Sequence, residues 1–260
     1  MKVTVLSENK SRPGFLCEHG LSLYIETERH KILFDFGAGS NFISNAEKLG
    51  IDLGKVDVAF LSHGHYDHGG GLLAFLEINK IANIYMNELV FEPHYNGQNK
   101  YIGLDVTLDG HPRFIKVRDN ISIDNELSFV KLGKLKKSVD THGQKVKRGK
   151  ILEKEKYDHE MYLLIREGYK TYLISGCTHK GILNLVYQLR FNTFVGGLHL
   201  MKYDPIWDEE ILMESAKAMK DSCAQYYSCH CTGEEQFLFL KDELGDKVQS
   251  LICGQSVTIG

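Results

Sequence analysis

Ser62-His63-Gly64-His65-Tyr66-Asp67-His68-Gly69-Gly70-Gly71 places three imidazoles and a carboxylate within six consecutive positions. The apolar run Val56 to Leu61 directly precedes it, and Leu72 to Ile78 follows with apolar residues at helical spacing. The cluster therefore sits where a buried strand hands over to a helix. His63 and His65, two apart in an extended turn, can point the same way. Asp67 and His68, adjacent in the tighter turn that follows, can aim at a second point a few ångströms off. Histidine and aspartate together form a donor set suited to zinc or another borderline divalent metal. The glycines let the backbone pack closely around such a site. A solvated histidine-rich loop is the plain alternative, but it gives no reason for so many ligand-type residues directly behind a buried strand.

Outward from this stretch, strands alternate with helices. Leu21 to Glu26 and Lys31 to Phe36 read as strands joined by the polar turn Thr27 to His30. Ser40 is placed to cap a helix carrying Phe42, Ile43, Ala46 and Leu49, which Gly50 ends. Between about 88 and 156 the pattern loosens into short strands and loops broken by Pro93, Gly97, Gly103, Gly110, Pro112 and Gly143, an insertion expected to cover a site. Regularity returns with a hairpin, Met161 to Arg166 and Lys170 to Ser175, and a helix from Gly181 to Arg190. A short strand, Thr193 to Val195, precedes a helix from Glu209 to Lys220 with Ile211, Leu212, Ala216 and Met219 inward. Tyr226 to Ser228 reads as a strand and Glu234 to Leu244 as the last helix. Two strand-and-helix halves predict a sandwich of two sheets with helices outside, in a single domain over 1–260.

Composition narrows the function classes. The 260 residues carry 31 Lys+Arg against 34 Asp+Glu, and 43% are hydrophobic, which excludes disorder, fibrous repeats and coiled coil. A chain of this size buries roughly three-quarters of its unfolded surface, so its core needs no disulfide staples. No stretch approaches the ~18 apolar residues of a membrane helix, and the N-terminus turns polar too early for a signal peptide. A cytoplasmic location with reduced cysteines is the expectation. Charge is skewed: 131–156 holds ten Lys+Arg and three Asp+Glu, and the rest of the chain is net negative. Such a segment is either a solvated basic loop or an attractor for an anionic small molecule. Lys145, Lys147 and Arg148 are its candidate substrate contacts. Few aromatics accompany the charge, so a nucleic-acid surface is not expected. Nothing in the sequence sets the oligomeric state.

His63-x-His65-x-Asp67-His68 resembles the motif of the metallo-β-lactamase superfamily. That resemblance implies an α/β, four-layer αββα sandwich with one or two metal ions at the sheet edge. The run Ile32-Leu33-Phe34-Asp35-Phe36-Gly37 also resembles the family, in which the aspartate supports the metal ligands. Gly176-Cys177-Thr178-His179, Gly196-Gly197-Leu198-His199 and Cys229-His230-Cys231-Thr232-Gly233 look like one branch of it, the dihydropterin ribofuranosyl-aminobenzene phosphate synthases, as does Tyr101-Ile102-Gly103-Leu104. The implied metal ligands are His63, His65, Asp67, His68, Cys177, His179 and His230. The superfamily's usual Gly-His-Thr-x-Gly element is missing. Asp158, His159, Glu160 or His179 is left to complete the first metal site. His199 is expected to meet substrate, as an acid or an oxyanion donor. His19, His30, His94, His111 and His142 read as surface or core residues.

Two zinc ions are the expected cofactor, with manganese or iron as alternatives. Paired divalent ions lower the pKa of water to about 7, so hydrolysis of a phosphoester, ester or cyclic amide follows, with Asp67 and His199 catalytic. A pterin-ribofuranosyl phosphate is the substrate that the branch implies. An iron-dependent oxidoreductase on the same scaffold, and a metal-dependent sensor without turnover, are the competing readings. A dinucleotide-binding fold is excluded: no Gly-x-Gly-x-x-Gly follows the first strand, and the Gly69-Gly70-Gly71 run comes after the histidines.

Overall fold

The computed structural model describes residues 1–260. The chain divides into two compact units, the first made of 1–119, 140–161 and 252–260 and the second of 120–139 and 162–251. The basic stretch is split by this division at residue 139.

The first unit is built on a seven-stranded sheet in the order 256–258, 2–7, 22–26, 31–34, 58–60, 83–87, 114–117. Its first four strands pair antiparallel, and from Lys31–Phe34 onward the pairing is parallel. Register aligns Leu33, Ala59, Ile84 and Phe114 in one row. That row packs with Phe42 and Ala46 of the helix Asn41–Lys48 and with Leu72, Phe75 and Leu76 of the helix Leu72–Ile78. Alternate strand residues such as Ile32, Phe34, Val58 and Phe60 are buried as well, the near-continuous apolar run typical of parallel strands. A small antiparallel sheet joins Ile151–Lys154, Lys145–Arg148 and His94–Tyr95.

The second unit repeats the plan. Its sheet runs 248–250, 225–228, 193–196, 170–175, 162–167, 127–130, 121–122, parallel over the first four strands and antiparallel over the rest. Helices Ile182–Gln188, Glu209–Asp221 and Glu234–Leu244 contribute Ile182, Leu185, Leu212, Ala216, Met219 and Leu240 to its core.

The expected strands and helices are therefore present, with several ends moved by one or two residues. Two local expectations are corrected. Ile211 is 41% exposed, not inward, because the buried stripe of its helix runs through Leu212, Ser215, Ala216 and Met219. Ser40 precedes the helix Asn41–Lys48, but its side chain makes no cap hydrogen bond. No helix is long and apolar enough to cross a membrane.

In both units parallel strands finish side by side, and their carboxyl ends are where open α/β sheets place ligands. A buried asparagine helps fix the first of these sheets. Asn79 donates to the carbonyls of Leu53 and Val56 at 2.9 and 2.8 Å and accepts the Ala82 N–H at 2.8 Å. Asn79→Ala leaves these groups unmade in the interior and is expected to lower stability by about 2–4 kcal/mol in urea unfolding.

Candidate metal centre

Pairing of Ile32 with Val58 through Phe34 with Phe60 brings Asp35 and Ser62 off the same end of the first sheet. Asp35 adopts φ 59° there and is fully buried. Backbone strain of this kind in a non-glycine residue persists only where surrounding contacts over-determine it. Those contacts are visible. Oδ1 accepts the Ser62 N–H at 2.7 Å, and Oδ2 accepts both the Ser62 hydroxyl at 2.7 Å and His68 Nδ1 at 2.6 Å.

These hydrogen bonds settle two tautomers. His68 gives its Nδ1 proton to Asp35 and keeps a lone pair on Nε2. The Ser62 hydroxyl spends its proton on Asp35, so it accepts from His63 Nδ1 at 2.8 Å, and His63 too keeps its lone pair on Nε2. Backing of ligand imidazoles by carboxylates and hydroxyls is how metal sites fix ring orientation and raise donor strength. Ring centroids lie 4.1 Å apart for His63 and His68 and 4.6 Å for His63 and His65. Asp67, in the first turn of the short helix Tyr66–Gly69, is also buried. His63 and His68 present lone pairs and Asp67 an anionic oxygen, so the motif residues of this unit fit a divalent metal.

Electrostatics in the cluster have clear causes. Burial, reinforced by neighbouring His63, pushes the pKa of His65 well below its ordinary value and keeps the ring neutral. Half-exposed His19 is raised, chiefly by its hydrogen bond to Asp67, with Nε2 3.3 Å from Oδ2. Gly64 is required by space: a Cβ there would sit 2.1 Å from the carbonyl oxygen of Val90.

His19 and His94, expected to be surface or core residues, belong beside this cluster. His94 is buried with its ring 5.6 Å from that of His65 and 4.0 Å from that of His159. Of the candidates for the missing histidine, His159 lies within the first unit at 5.9 Å from the ring of His63. Glu160 is buried, and Asp158 is half-exposed at 3.7 Å from Arg148. The substrate candidates lie on the strand Lys145–Arg148. Lys145 bonds Asn99, Lys147 is exposed, and Arg148 commits its fork to Glu92 at 2.8 and 2.9 Å. That carboxylate raises the pKa of Arg148 further.

In the second unit Ser175, Gly196 and Ser228 end neighbouring parallel strands in register. The residues that follow converge. Donor atoms of Cys177, His199 and Cys231 lie within 4.8 Å of one another, and the rings of His179 and His199 are 4.1 Å apart. Thr178, His199 and His230 all take positive φ, held by hydroxyl bonds such as Thr178 to the Gly197 carbonyl at 2.7 Å and Thr232 to that of Cys229 at 2.9 Å. Cys177 and His230 are buried and His199 is half-buried. Cys231 stands in the quoted 229–233 motif without being among the implied ligands, and His94 carries no distinguishing pattern in the sequence around it; the tertiary fold brings both in.

A family model described as the metallo-beta-lactamase superfamily matches residues 17–221, and the chain belongs to that superfamily. Uncharacterized protein MJ0448 of Methanocaldococcus jannaschii is 29% identical, spanning 89% of this chain and 90% of that protein. The same organism's 7,8-dihydropterin-6-methyl-4-(beta-D-ribofuranosyl)-aminobenzene-5'-phosphate synthase is 26% identical over 99% of this chain and 96% of its own length. Among solved structures, Tm1679, described as a metal-dependent hydrolase of the beta-lactamase superfamily, is similar with a TM-score of 0.87 and 28% identity over 100% of this chain and 99% of that one. The fold class and branch resemblance read from the motifs agree with these matches.

Asp35→Asn tests the backing of His68. It keeps the shape but turns an amide N–H toward a partner that needs an acceptor. Zinc affinity measured by chelator competition is expected to fall about 10–100-fold while circular dichroism is unchanged.

Proposed function

We propose that the protein is a metal-dependent hydrolase acting on a small anionic metabolite, a phosphoester, ester or cyclic amide. The observation that carries this reading is the arrangement of the Asp35 carboxylate, which leaves His63 and His68 with Nε2 lone pairs next to buried Asp67. In the first unit His63, His65, Asp67 and His68 would hold metal. Cys177, His179 and His230 are proposed as further ligands on their motif positions alone. Zinc suits the imidazole and thiolate donors best.

When bound, a divalent pair supplies Lewis acidity and brings the pKa of water down to about 7. The chain's residues do the rest. Asp67 orients the attacking water through a carboxylate oxygen, and His19 at 3.3 Å holds that carboxylate in place. His199 gives a ring proton to the leaving group. A phosphate-bearing pterin riboside enters as candidate substrate from the name of the synthase relative.

Hydrolysis of chromogenic phosphate mono- and diesters, carboxylic esters and lactams is the direct assay. His63→Ala and Asp67→Ala are expected to lose metal and turnover while remaining folded. His199→Ala is expected to keep its metal and lose about 10²–10⁴ in kcat. Full metal content in either of the first two variants contradicts the ligand assignment, and metal loss in the third makes His199 a ligand.

A further inference from the structure

The first unit buries a second polar group that the proposed chemistry does not use: His94, Glu155 and His159. One ring nitrogen from each of His65, His94 and His159 lies within 4.8 Å of the others. Three imidazoles so close suggest a metal ion, but the hydrogen bonds say otherwise. Glu155 Oε1 accepts the N–H groups of Lys156 and Tyr157, both at 2.8 Å, and Oε2 accepts from His94 Nδ1 at 2.8 Å. His94 therefore carries its proton on Nδ1 and a lone pair on Nε2. On His159 the order is reversed: Gly64 N–H donates to Nδ1 at 2.8 Å, so the neutral ring carries its proton on Nε2. The trio cannot offer three lone pairs to a metal without stripping His159 of that proton.

What the group does contain is an acceptor in want of a donor. His94 is fully buried and its Nε2 has no hydrogen-bond partner, an arrangement that native interiors seldom leave unmade. His159 cannot fill it, because the two rings lie face to face, 4.0 Å between centroids and tilted by 35°, while N–H and lone pair both lie in the ring planes. His65 stands edge-on to His94 at 77°, and its Nε2 is buried. An edge-on ring can direct an in-plane N–H at the neighbouring lone pair.

We propose that the Glu155–His94 pair sets the tautomer of His65. His94 Nε2 takes the His65 Nε2–H through one bridging water, and His65 keeps its lone pair on Nδ1 for metal. His94 and Glu155 are thus positioning residues, acting through His65, and the inference rests on His65 being a ligand as proposed above.

Nitrogen-15 NMR of labelled histidines in the metal-free protein reads the tautomer without any metal, and chelator competition reads zinc affinity separately. Wild type is expected to show His65 with its proton on Nε2. His94→Leu removes the acceptor at similar volume, and Glu155→Gln turns an amide N–H toward His94 and reverses that ring. Both are expected to abolish the His65 preference and weaken zinc about 10–100-fold. His94→Gln, which restores an acceptor oxygen, is expected to recover both readouts. Should His94→Leu fail to fold, Glu155→Gln carries the comparison, since its carbonyl still serves the Lys156 and Tyr157 amides. A His65 proton on Nδ1 in wild type, or equal behaviour of the leucine and glutamine variants at 94, overturns the inference. So does loss of a whole zinc equivalent in His94→Leu, which would make His94 a ligand itself. A wild type that binds no zinc would sink the hydrolase reading, while the tautomer result still decides this one.

Discussion

One buried carboxylate organises the first unit's chemistry. Asp35 accepts from the Ser62 amide, the Ser62 hydroxyl and His68 Nδ1, all within 2.7 Å. A buried charge is tolerable only when its lone pairs are met this fully. In meeting them, the neighbouring groups lose their freedom: Ser62 becomes an acceptor for His63, and His63 and His68 both turn Nε2 outward. A chain of four residues is thus set by a single ionised group at a strained position.

The sheet explains why that group can be there. Parallel pairing of Lys31–Phe34 with Val58–Phe60 ends both strands at the same level, so Asp35 and Ser62 meet across one strand spacing. The second unit uses the same device with three strands ending at Ser175, Gly196 and Ser228. Loops leaving those ends carry Cys177, His199 and Cys231, and small residues there are spatial necessities. A Cβ on Gly196 would lie 2.1 Å from the Ser175 carbonyl oxygen, and one on Gly197 2.5 Å from Cys231 Sγ. Each unit therefore supplies a ledge of parallel strand ends, and Asp35, Thr178, His199 and His230 near those ends take positive φ.

Much of this was legible in the residues. The histidine motif, its place behind a buried strand, and the strand-and-helix alternation all depend on local spacing, which a sequence displays directly. Asp35 could be named from the resemblance, but its acceptance of three hydrogen bonds depends on strand register. His94 and Glu155 could not be read at all. They stand 61 positions apart, joined only because Lys145–Arg148 pairs with His94–Tyr95 in a small sheet, and no local pattern marks either. Arg148 shows the opposite case. Its charge was plain, but its engagement with Glu92 was not. Ile211 failed for a similar reason, since helical spacing fixes the width of a buried stripe better than its edges.

Metal content is the measurement that bears most directly on this account. Plasma mass spectrometry on protein purified without added metal or chelator is predicted to find about two zinc or manganese ions per chain, as a paired-metal hydrolase requires. Iron in their place would contradict the hydrolytic reading and favour redox chemistry on the same ligands. A chain that neither carries nor takes up a divalent ion would contradict the central claim, that Asp35 and Ser62 orient these imidazoles to hold one.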